Sequence, residues 1–211
     1  MPLRRHQFVR VCADALEAQS GRRDEPLLRY WLARGWPLIV RRSLAEETGV
    51  PLGLALPPSS GKRRLSLTVQ REHIAAVAEP PTIAEVLDAA PQPWRPVLHE
   101  LQALATAHEV CCRVFGGLAW QLLTGLQYLS ASSDLDLLLD LPSGAGRLAS
   151  LLTGLAEIDS RAPMRIDGEL VRSDRAGVNW RELHAAPREV VVKTATEPLL
   201  MSVERFTGVS Q

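Results

Sequence analysis

The stretch from residue 114 to 141, VFGGLAWQLLTGLQYLSASSDLDLLLDL, constrains the fold more than any other part of the chain. It contains the glycine pair Gly116-Gly117, about ten residues with the apolar spacing of a helix, and an alternating segment at 134–140 that predicts a strand. A glycine pair before a helix lets the backbone approach a ligand closely, and the free N–H groups of the first helical turn attract an anion. The stretch therefore predicts an anion-binding bend that leads, through a helix, into an acidic strand.

Asp134 and Asp136 lie two positions apart in the predicted strand. Because side chains alternate along a strand, both carboxylates should point to the same face. Neighbouring carboxylates repel each other unless a cation lies between them, and Mg²⁺ that carries substrate phosphates prefers such hard oxygen ligands. A strand with one solvated face can also carry alternating acids at no cost, and we expect this plainer role for Asp140. With the glycine pair and the helix upstream, the pattern favours a magnesium site at Asp134 and Asp136.

The composition indicates a globular protein without a dominant charge. The chain has 211 residues, 46% of them hydrophobic, and its 24 Lys and Arg balance its 24 Asp and Glu. This balance gives no overall field that would attract nucleic acid or a membrane, so we expect neither as a partner. Residues 1–80 hold 13 basic against 8 acidic side chains, whereas residues 81–211 hold 11 against 16. A basic half beside an acidic half suits a highly anionic substrate.

The cysteines and the absence of long apolar runs predict a cytoplasmic protein. Cys12, Cys111 and Cys112 form an odd and unspaced set, which indicates reduced thiols rather than a disulfide framework. No run approaches the roughly 20 apolar residues that a membrane helix needs, and we expect no signal peptide at the start of the chain.

A boundary is predicted at Glu79-Pro80-Pro81-Thr82, between a basic N-terminal α/β module of residues 1–80 and a catalytic domain of residues 81–211. In the module, residues 8–18 have helical spacing, residues 49–58 are rich in Pro and Gly, and strands are expected at 38–40 and 65–69. The second half alternates helical and strand patterns. The expected fold class is therefore α+β, with a small mixed β module followed by a mixed sheet flanked by helices.

The basic turn at 59–64, SSGKRR, is not a Walker A loop, because that loop needs Gly at Leu56 and Ser or Thr at Arg63. It is either the solvated tip of a hairpin or, with Arg41 and Arg42, a patch that steers phosphates.

The order Phe115-Gly116-Gly117, helix, Asp134-Leu135-Asp136 resembles the nucleotidyltransferase superfamily typified by DNA polymerase β, over roughly residues 97–200. Two features depart from that pattern. Gly117 stands where many members have Ser, and the 16-residue spacer before Asp134 is longer than usual. The resemblance implies that backbone N–H groups, or Ser132 and Ser133, replace the lost phosphate hydrogen bond.

The same resemblance implies a third acid on the strand beside the acid pair. Asp167 matches the usual position better, and Glu169, which shares its predicted face, stays open as the alternative. Lys193 closes another predicted strand, where it either meets a phosphate oxygen or is an ordinary lysine at a strand end.

A closer resemblance covers nearly the whole chain. Its motifs are RGWPLIVRR at 34–42, PLGL at 51–54, RIDGE at 165–169, NWREL at 179–183 and VKT at 192–194. They are similar to the family of malonate decarboxylase holo-acyl-carrier-protein synthases, the phosphoribosyl-dephospho-CoA transferases. The resemblance implies transfer of the phosphoribosyl-dephospho-CoA group from 2′-(5″-triphosphoribosyl)-3′-dephospho-CoA to a serine of the acyl carrier subunit of malonate decarboxylase, with release of pyrophosphate.

This family assignment gives the predicted site residues their roles. Asp134, Asp136 and Asp167 are expected to hold Mg²⁺ and to be catalytic. The residues expected to bind substrate are Gly116, Gly117, Ser133, Arg41, Arg42 and Lys193. Two other functions stay open: a nucleotidyltransferase that adds AMP from ATP to a small molecule or a protein, and an inactive binding module of the same fold.

Overall fold

The structure is a computed structural model, and it describes residues 3–12, 14–16, 25–43, 47–61 and 63–208. Lys62 of the basic turn and residues 13, 17 and 18 of the first helical pattern lie outside these ranges. The chain divides into two compact units, one of residues 1–80 with 123–127 and one of residues 81–122 with 128–211. Each unit has its own sheet with accompanying helices, and the predicted α+β class is confirmed. Within the described ranges, no helix combines the length and the apolar character needed to span a bilayer.

The first unit is built on an antiparallel sheet of five strands in the order β4-β3-β2-β1-β5. The strands are β1 (Phe8–Val11), β2 (Leu38–Val40), β3 (Val50–Ala55), β4 (Arg64–Val69) and β5 (Ile74–Ala78). Helix α1 (Glu25–Ala33) precedes β2, and its buried Trp31 donates its indole N–H to the carbonyl of Pro37 at 2.9 Å. That bond ties the end of the helix to the start of the strand.

One prediction in this unit is wrong, and one strand lies in a segment to which the sequence analysis assigned no structure. Residues 8–11 of the expected helix form β1, which pairs with both β2 and β5. Phe8 and Val9 are both buried, so the two-residue alternation that marks a strand is missing from the sequence. The segment rich in Pro and Gly contains β3, where Pro51 contributes its carbonyl to the Arg41 N–H at 3.1 Å. Tertiary pairing overrides the local preference in both segments.

The second unit has a mixed sheet of six strands in the order β11-β10-β9-β8-β7-β6, in which β7 and β8 form the parallel pair. The strands are β6 (Cys112–Val114), β7 (Leu135–Asp140), β8 (Ile166–Val171), β9 (Gly177–Asn179), β10 (Glu189–Lys193) and β11 (Pro198–Ser202). The helices are α2 (Ile83–Val86), α3 (Arg95–Ala107), α4 (Gly116–Thr124), α5 (Ala145–Arg161), α6 (Trp180–His184) and α7 (Val203–Thr207).

Local signals in the sequence place several of these helices. Thr82 and Glu85 form a capping box at α2, with each side chain bonded to the other residue's backbone N–H. Pro96 stands in the first turn of α3, where a missing N–H does no harm. The two helices begin at Ile83 and Arg95, next to these signals.

One face of the second sheet is covered by helices. Leu135, Leu137 and Leu139 of β7 are almost fully buried and belong to the same core as the apolar faces of α3 and α5. Helices α3 and α5 approach closely at Gly154 of α5: a Cβ added there would lie 2.6 Å from a methyl group of Leu104 in α3. Since side chains alternate along β7, its acids must face away from this core. The packing of the leucines thus sets the orientation of the acidic face.

Candidate active site

Asp136 and Asp167 are direct partners across the parallel pair β7 and β8. Paired residues on neighbouring strands project to the same face, so these two carboxylates lie side by side although 31 positions separate them in the sequence. Asp134 lies immediately before β7 and is half-buried, as are Asp136 and Asp167. Asp140 is exposed at the far end of β7. The structure therefore brings Asp136 and Asp167 together and leaves Asp140 apart.

Gly116 lies directly against the carboxylate of Asp136. Its φ is +62°, and a Cβ built on it would lie 1.7 Å from Asp136 Oδ2 and 2.5 Å from Cγ. The neighbouring Phe115 N–H donates to the carbonyl of Asp136 at 3.0 Å, which fixes the bend against β7. Glycine is required here both by the backbone angle and by the lack of space. The N-terminus of α4, with its positive dipole end, is thereby held beside an acid of the site.

At Gly117, packing against a neighbouring side chain, rather than the acid or the backbone angle, limits the space for a side chain. A Cβ at Gly117 would lie 3.0 Å from a methyl group of Leu129, which is itself buried. Leu129 belongs to the long segment that joins α4 to Asp134. This segment folds back and occupies the space beside Gly117.

Gln121 of α4 holds that segment in place. Its Oε1 accepts the N–H groups of Tyr128 at 3.1 Å and Leu129 at 3.3 Å, and its Nε2 donates to the carbonyl of Ala89 at 2.8 Å. The Tyr128 ring stacks on Trp120 with a centroid separation of 6.0 Å, and burial raises the pKa of its hydroxyl. The sequence analysis did not single out Gln121, and only its polar character on an apolar helix could have drawn attention to it.

Ser133 closes a tight turn before the acidic strand. Its Oγ accepts the Ser130 N–H at 2.9 Å, and its own N–H donates to the Ser130 carbonyl at 3.1 Å. Its hydroxyl also lies 3.2 Å from the Ser130 hydroxyl, and it can donate to a phosphate oxygen when Ser130 is the donor of that pair.

Asp167 and Glu169 share a face but have different partners. Asp167 Oδ1 accepts a hydrogen bond from Asn179 Nδ2 at 2.7 Å. Glu169 is only 6% exposed, and its Oε1 accepts from Lys193 Nζ at 2.8 Å. The ammonium group thus compensates a buried carboxylate, which accounts for the position of Lys193 without a substrate. Asp167 is the acid in register with Asp136, whereas Glu169 is engaged by Lys193.

Arg41 and Arg42 belong to the first unit. The guanidinium of Arg41 forms an ion pair with both carboxylate oxygens of Glu47 and donates from Nε to the carbonyl of Leu52 at 3.2 Å. Arg42 has a buried Nε without a hydrogen-bond partner among the residues that the structure describes. Of the two arginines, Arg42 is therefore the one with a buried N–H group that no described residue accepts.

The donor set at the acidic face suits a hard cation. Over the described residues, no group of three or more His, Cys, Asp or Glu is arranged to hold a metal ion. Mg²⁺ needs no such group, because it is commonly bound by one or two carboxylates while water and substrate phosphates supply its other ligands. The side-by-side carboxylates of Asp136 and Asp167, next to Asp134, meet that requirement.

Two family models match the chain and together span most of it. Residues 4–80 match the model described as phosphoribosyl-dephospho-CoA transferase MdcG N-terminal domain, and residues 82–204 match the corresponding C-terminal domain.

Curated proteins of similar sequence carry the same name. A phosphoribosyl-dephospho-CoA transferase of Bradyrhizobium diazoefficiens is 43% identical over 210 residues, which cover 97% of this chain and 92% of that protein. One from Xanthomonas campestris pv. campestris is 42% identical over 193 residues, with 90% and 89% covered. One from Pseudomonas aeruginosa is 30% identical over 181 residues, with 81% and 80% covered. No solved structure matches the chain.

Proposed function

Since the chain belongs to the phosphoribosyl-dephospho-CoA transferase family and is a transferase, we propose that it attaches the phosphoribosyl-dephospho-CoA group to a serine of the malonate decarboxylase acyl carrier subunit. The donor in this proposal is 2′-(5″-triphosphoribosyl)-3′-dephospho-CoA, and pyrophosphate is released. The observation that carries the proposal is the register pair of Asp136 and Asp167 beside the glycine bend that opens α4.

In this reaction the carrier serine oxygen bonds to the phosphorus next to the ribose, and the bond from that phosphorus to the pyrophosphate oxygen breaks. The serine proton leaves to water or a base, and pyrophosphate takes the electron pair. Such a reaction depends on positioning and on stabilisation of phosphate charge rather than on a nucleophile of the enzyme. A site of carboxylates and backbone N–H groups without a protein nucleophile is the kind of site that this chemistry needs.

We assign the metal to the paired carboxylates of Asp136 and Asp167; Asp134, immediately before β7, is the predicted third ligand, and it is not grouped with them among the described residues. When bound there, Mg²⁺ would neutralise charge on the triphosphate. Gly116 keeps the Asp136 carboxylate against the start of α4, whose first N–H groups have no carbonyl partners within the helix and can donate to phosphate oxygens. Ser133 contributes a hydroxyl from the turn that precedes the strand.

The predicted site residues that are not acids would bind the substrate rather than the metal. Lys193, held by Glu169, places a positive charge on the same face of the sheet and would contact a phosphate oxygen. Arg41 and Arg42, which belong to the first unit, would bind the anionic substrate. Arg42 would use its buried Nε–H, which no described residue accepts. The missing side chain of Gly117 leaves room for Leu129, so its proposed contact with the substrate would be made by its backbone N–H.

The direct test is intact-mass analysis of the acyl carrier subunit after incubation with enzyme, donor and Mg²⁺. The carrier should gain the mass of the donor less pyrophosphate. Asp136→Asn should lower the rate by about 100-fold or more, because the substitution removes a charged ligand at constant size. Asp140→Asn is the matched control on the same strand, and its exposed side chain should leave the rate unchanged.

The same assay separates the alternatives. Replacing the donor by ATP should add nothing to the carrier. An added AMP would instead favour a nucleotidyltransferase of different specificity. No added mass and no pyrophosphate in any mixture would contradict the proposal and favour an inactive binding module.

A further inference from the structure

Asn179, the last residue of β9, makes two hydrogen bonds that point to a role in the active site. Its Nδ2 donates to Asp167 Oδ1 at 2.7 Å, and its Oδ1 accepts the Arg181 N–H at 2.9 Å. We propose that Asn179 is a positioning residue that orients the Asp167 carboxylate for the transfer reaction. The inference rests on the function proposed above, because that function makes Asp167 a ligand of the site.

The cap at α6 determines where the amide points. Asn179 has extended backbone angles, φ −62° and ψ 131°, and is the N-cap of α6. Once its Oδ1 accepts the Arg181 N–H, the planar amide leaves Nδ2 on the opposite side of the group. Asn179 and Glu169 are partners in the antiparallel pair β8 and β9, and Asp167 lies two residues earlier on β8, so all three share one face. The helix cap therefore orients the amide Nδ2–H of Asn179 toward Asp167.

The cap is itself anchored to the start of β8. Arg181 donates to Asp159 Oδ1 at 2.6 Å and to the carbonyl of Ile166 at 3.2 Å, and the Trp180 indole N–H donates to that same carbonyl at 3.1 Å. Asp159 Oδ1 also accepts the Ile166 N–H at 2.9 Å. Ile166 directly precedes Asp167. One hydrogen-bond network therefore holds both the backbone next to Asp167 and the Asn179 side-chain amide that donates to it. Such a network restricts the side chain of Asp167 to one orientation.

The hydrogen bond from Asn179 uses only one of the two carboxylate oxygens of Asp167. Nδ2 occupies Oδ1 of Asp167, and Oδ2 makes no hydrogen bond with a residue that the structure describes. The carboxylate therefore presents one constrained and one available oxygen beside Asp136. Partners of metal-binding side chains typically change metal affinity or activity by about 10- to 100-fold when they are removed. A serine or an aspartate at this position would cap the helix equally well, so the cap alone does not explain the amide.

The experiment separates the cap from the amide. Asn179→Ser keeps an N-cap oxygen for the Arg181 N–H, but its hydroxyl stops one bond short of the amide nitrogen. Asn179→Ala removes both functions. Ser202→Ala is the matched control, because Ser202 caps α7 by accepting the Arg205 N–H at 3.3 Å and is bonded to no acid of the site.

Three quantities are measured on the full chain: the unfolding midpoint, the affinity for Mn²⁺ without donor by electron paramagnetic resonance, and kcat from the carrier mass assay. Asn179→Ser should keep the midpoint within about 2 °C, and it should lower both kcat and Mn²⁺ affinity by about 10- to 100-fold. Ser202→Ala should lower the midpoint by about 2–4 °C and leave kcat and Mn²⁺ affinity unchanged. Asn179→Ala should combine the two losses.

The inference is overturned if Asn179→Ser retains the kcat and the Mn²⁺ affinity of the unaltered protein, or if its losses only follow a lowered midpoint. Either result leaves the proposed function intact as long as the unaltered enzyme adds the group to the carrier. If the unaltered enzyme adds nothing, the proposed function fails, and the comparison of Mn²⁺ affinities alone decides whether Asn179 orients Asp167.

Discussion

Replacement of Gly116 by alanine tests the geometry on which the active site depends. The added Cβ would lie 1.7 Å from Asp136 Oδ2, whereas real Cβ contacts below 3.0 Å essentially do not occur. The carboxylate must therefore move by at least about 1.3 Å, the difference between these two distances. The backbone angle also matters, because φ at Gly116 is +62° and alanine is strained there.

Two magnitudes follow. The left-handed backbone costs alanine about 1–2 kcal/mol, which corresponds to a lower unfolding midpoint by about 2–8 °C in a chain of this size. Displacement of a reacting group by about 1 Å can lower a rate by about 100-fold. We therefore expect Gly116→Ala to be a folded protein of modestly lower stability whose kcat falls by about two orders of magnitude.

Gly125→Ala provides the matched control at the other end of α4. Its φ is +71°, and a Cβ there would meet nothing within 4 Å, so it carries the backbone strain without the collision. Circular dichroism gives the midpoints and the carrier mass assay gives kcat. Gly116→Ala should lose at least as much stability as Gly125→Ala, because it adds the collision to the same backbone strain, and only Gly116→Ala should lose activity. Equal kcat values in both variants would refute the argument that the position of Asp136 determines the rate.

Three further predictions concern other parts of the chain. Burial acts to raise the pKa of Asp159, but hydrogen bonds from its neighbours outweigh burial and hold that pKa below its ordinary value. Asp159 therefore stabilises the fold above its unfolded-state pKa, and this contribution is lost as the pH falls through the lower folded-state pKa. Urea midpoints should thus decline more steeply below about pH 4 in the unaltered protein than in Asp159→Asn, and parallel curves would contradict this. Burial raises the pKa of the Cys112 thiol to about 12, so a thiol reagent at about pH 8 should modify exposed Cys111 and spare Cys112, as peptide mapping would reveal. Arg42→Ala should raise the KM for the donor more than it lowers kcat, because such a group binds ground and transition states alike; an unchanged KM would exclude the role, and Arg41→Ala gives the comparison.

Much of the candidate site is visible in the sequence because it is local. The glycine pair, the helix and the alternating acids lie within one stretch of 28 residues, and their spacing follows from the periods of helix and strand. The alternation of β7 predicts which of its side chains are buried, and the leucines between the acids are indeed in the core. Local caps, such as Thr82 with Glu85, also need no tertiary information.

The pairings between distant segments were not visible in the same way. The sequence left Asp167 and Glu169 open as the third acid, and it gave no reason to connect Asn179 with either. Only the register of β7 against β8 places Asp167 beside Asp136, and only β9 and β10 bring Asn179 and Lys193 to the same face. The helix predicted over residues 8–18 was wrong at β1, and β3 was not predicted, for a related reason: pairing with neighbouring strands rather than local preference holds both strands.

The sequence by itself thus determined the chemistry available to this protein: a glycine bend, a helix start and a row of carboxylates. The tertiary structure decided which carboxylates become neighbours, that Gly116 has no room for a side chain, and that Glu169 is engaged by Lys193. The physical reason is that periodicity acts over a few residues, whereas strand register and side-chain packing are set by contacts between segments that the sequence keeps far apart.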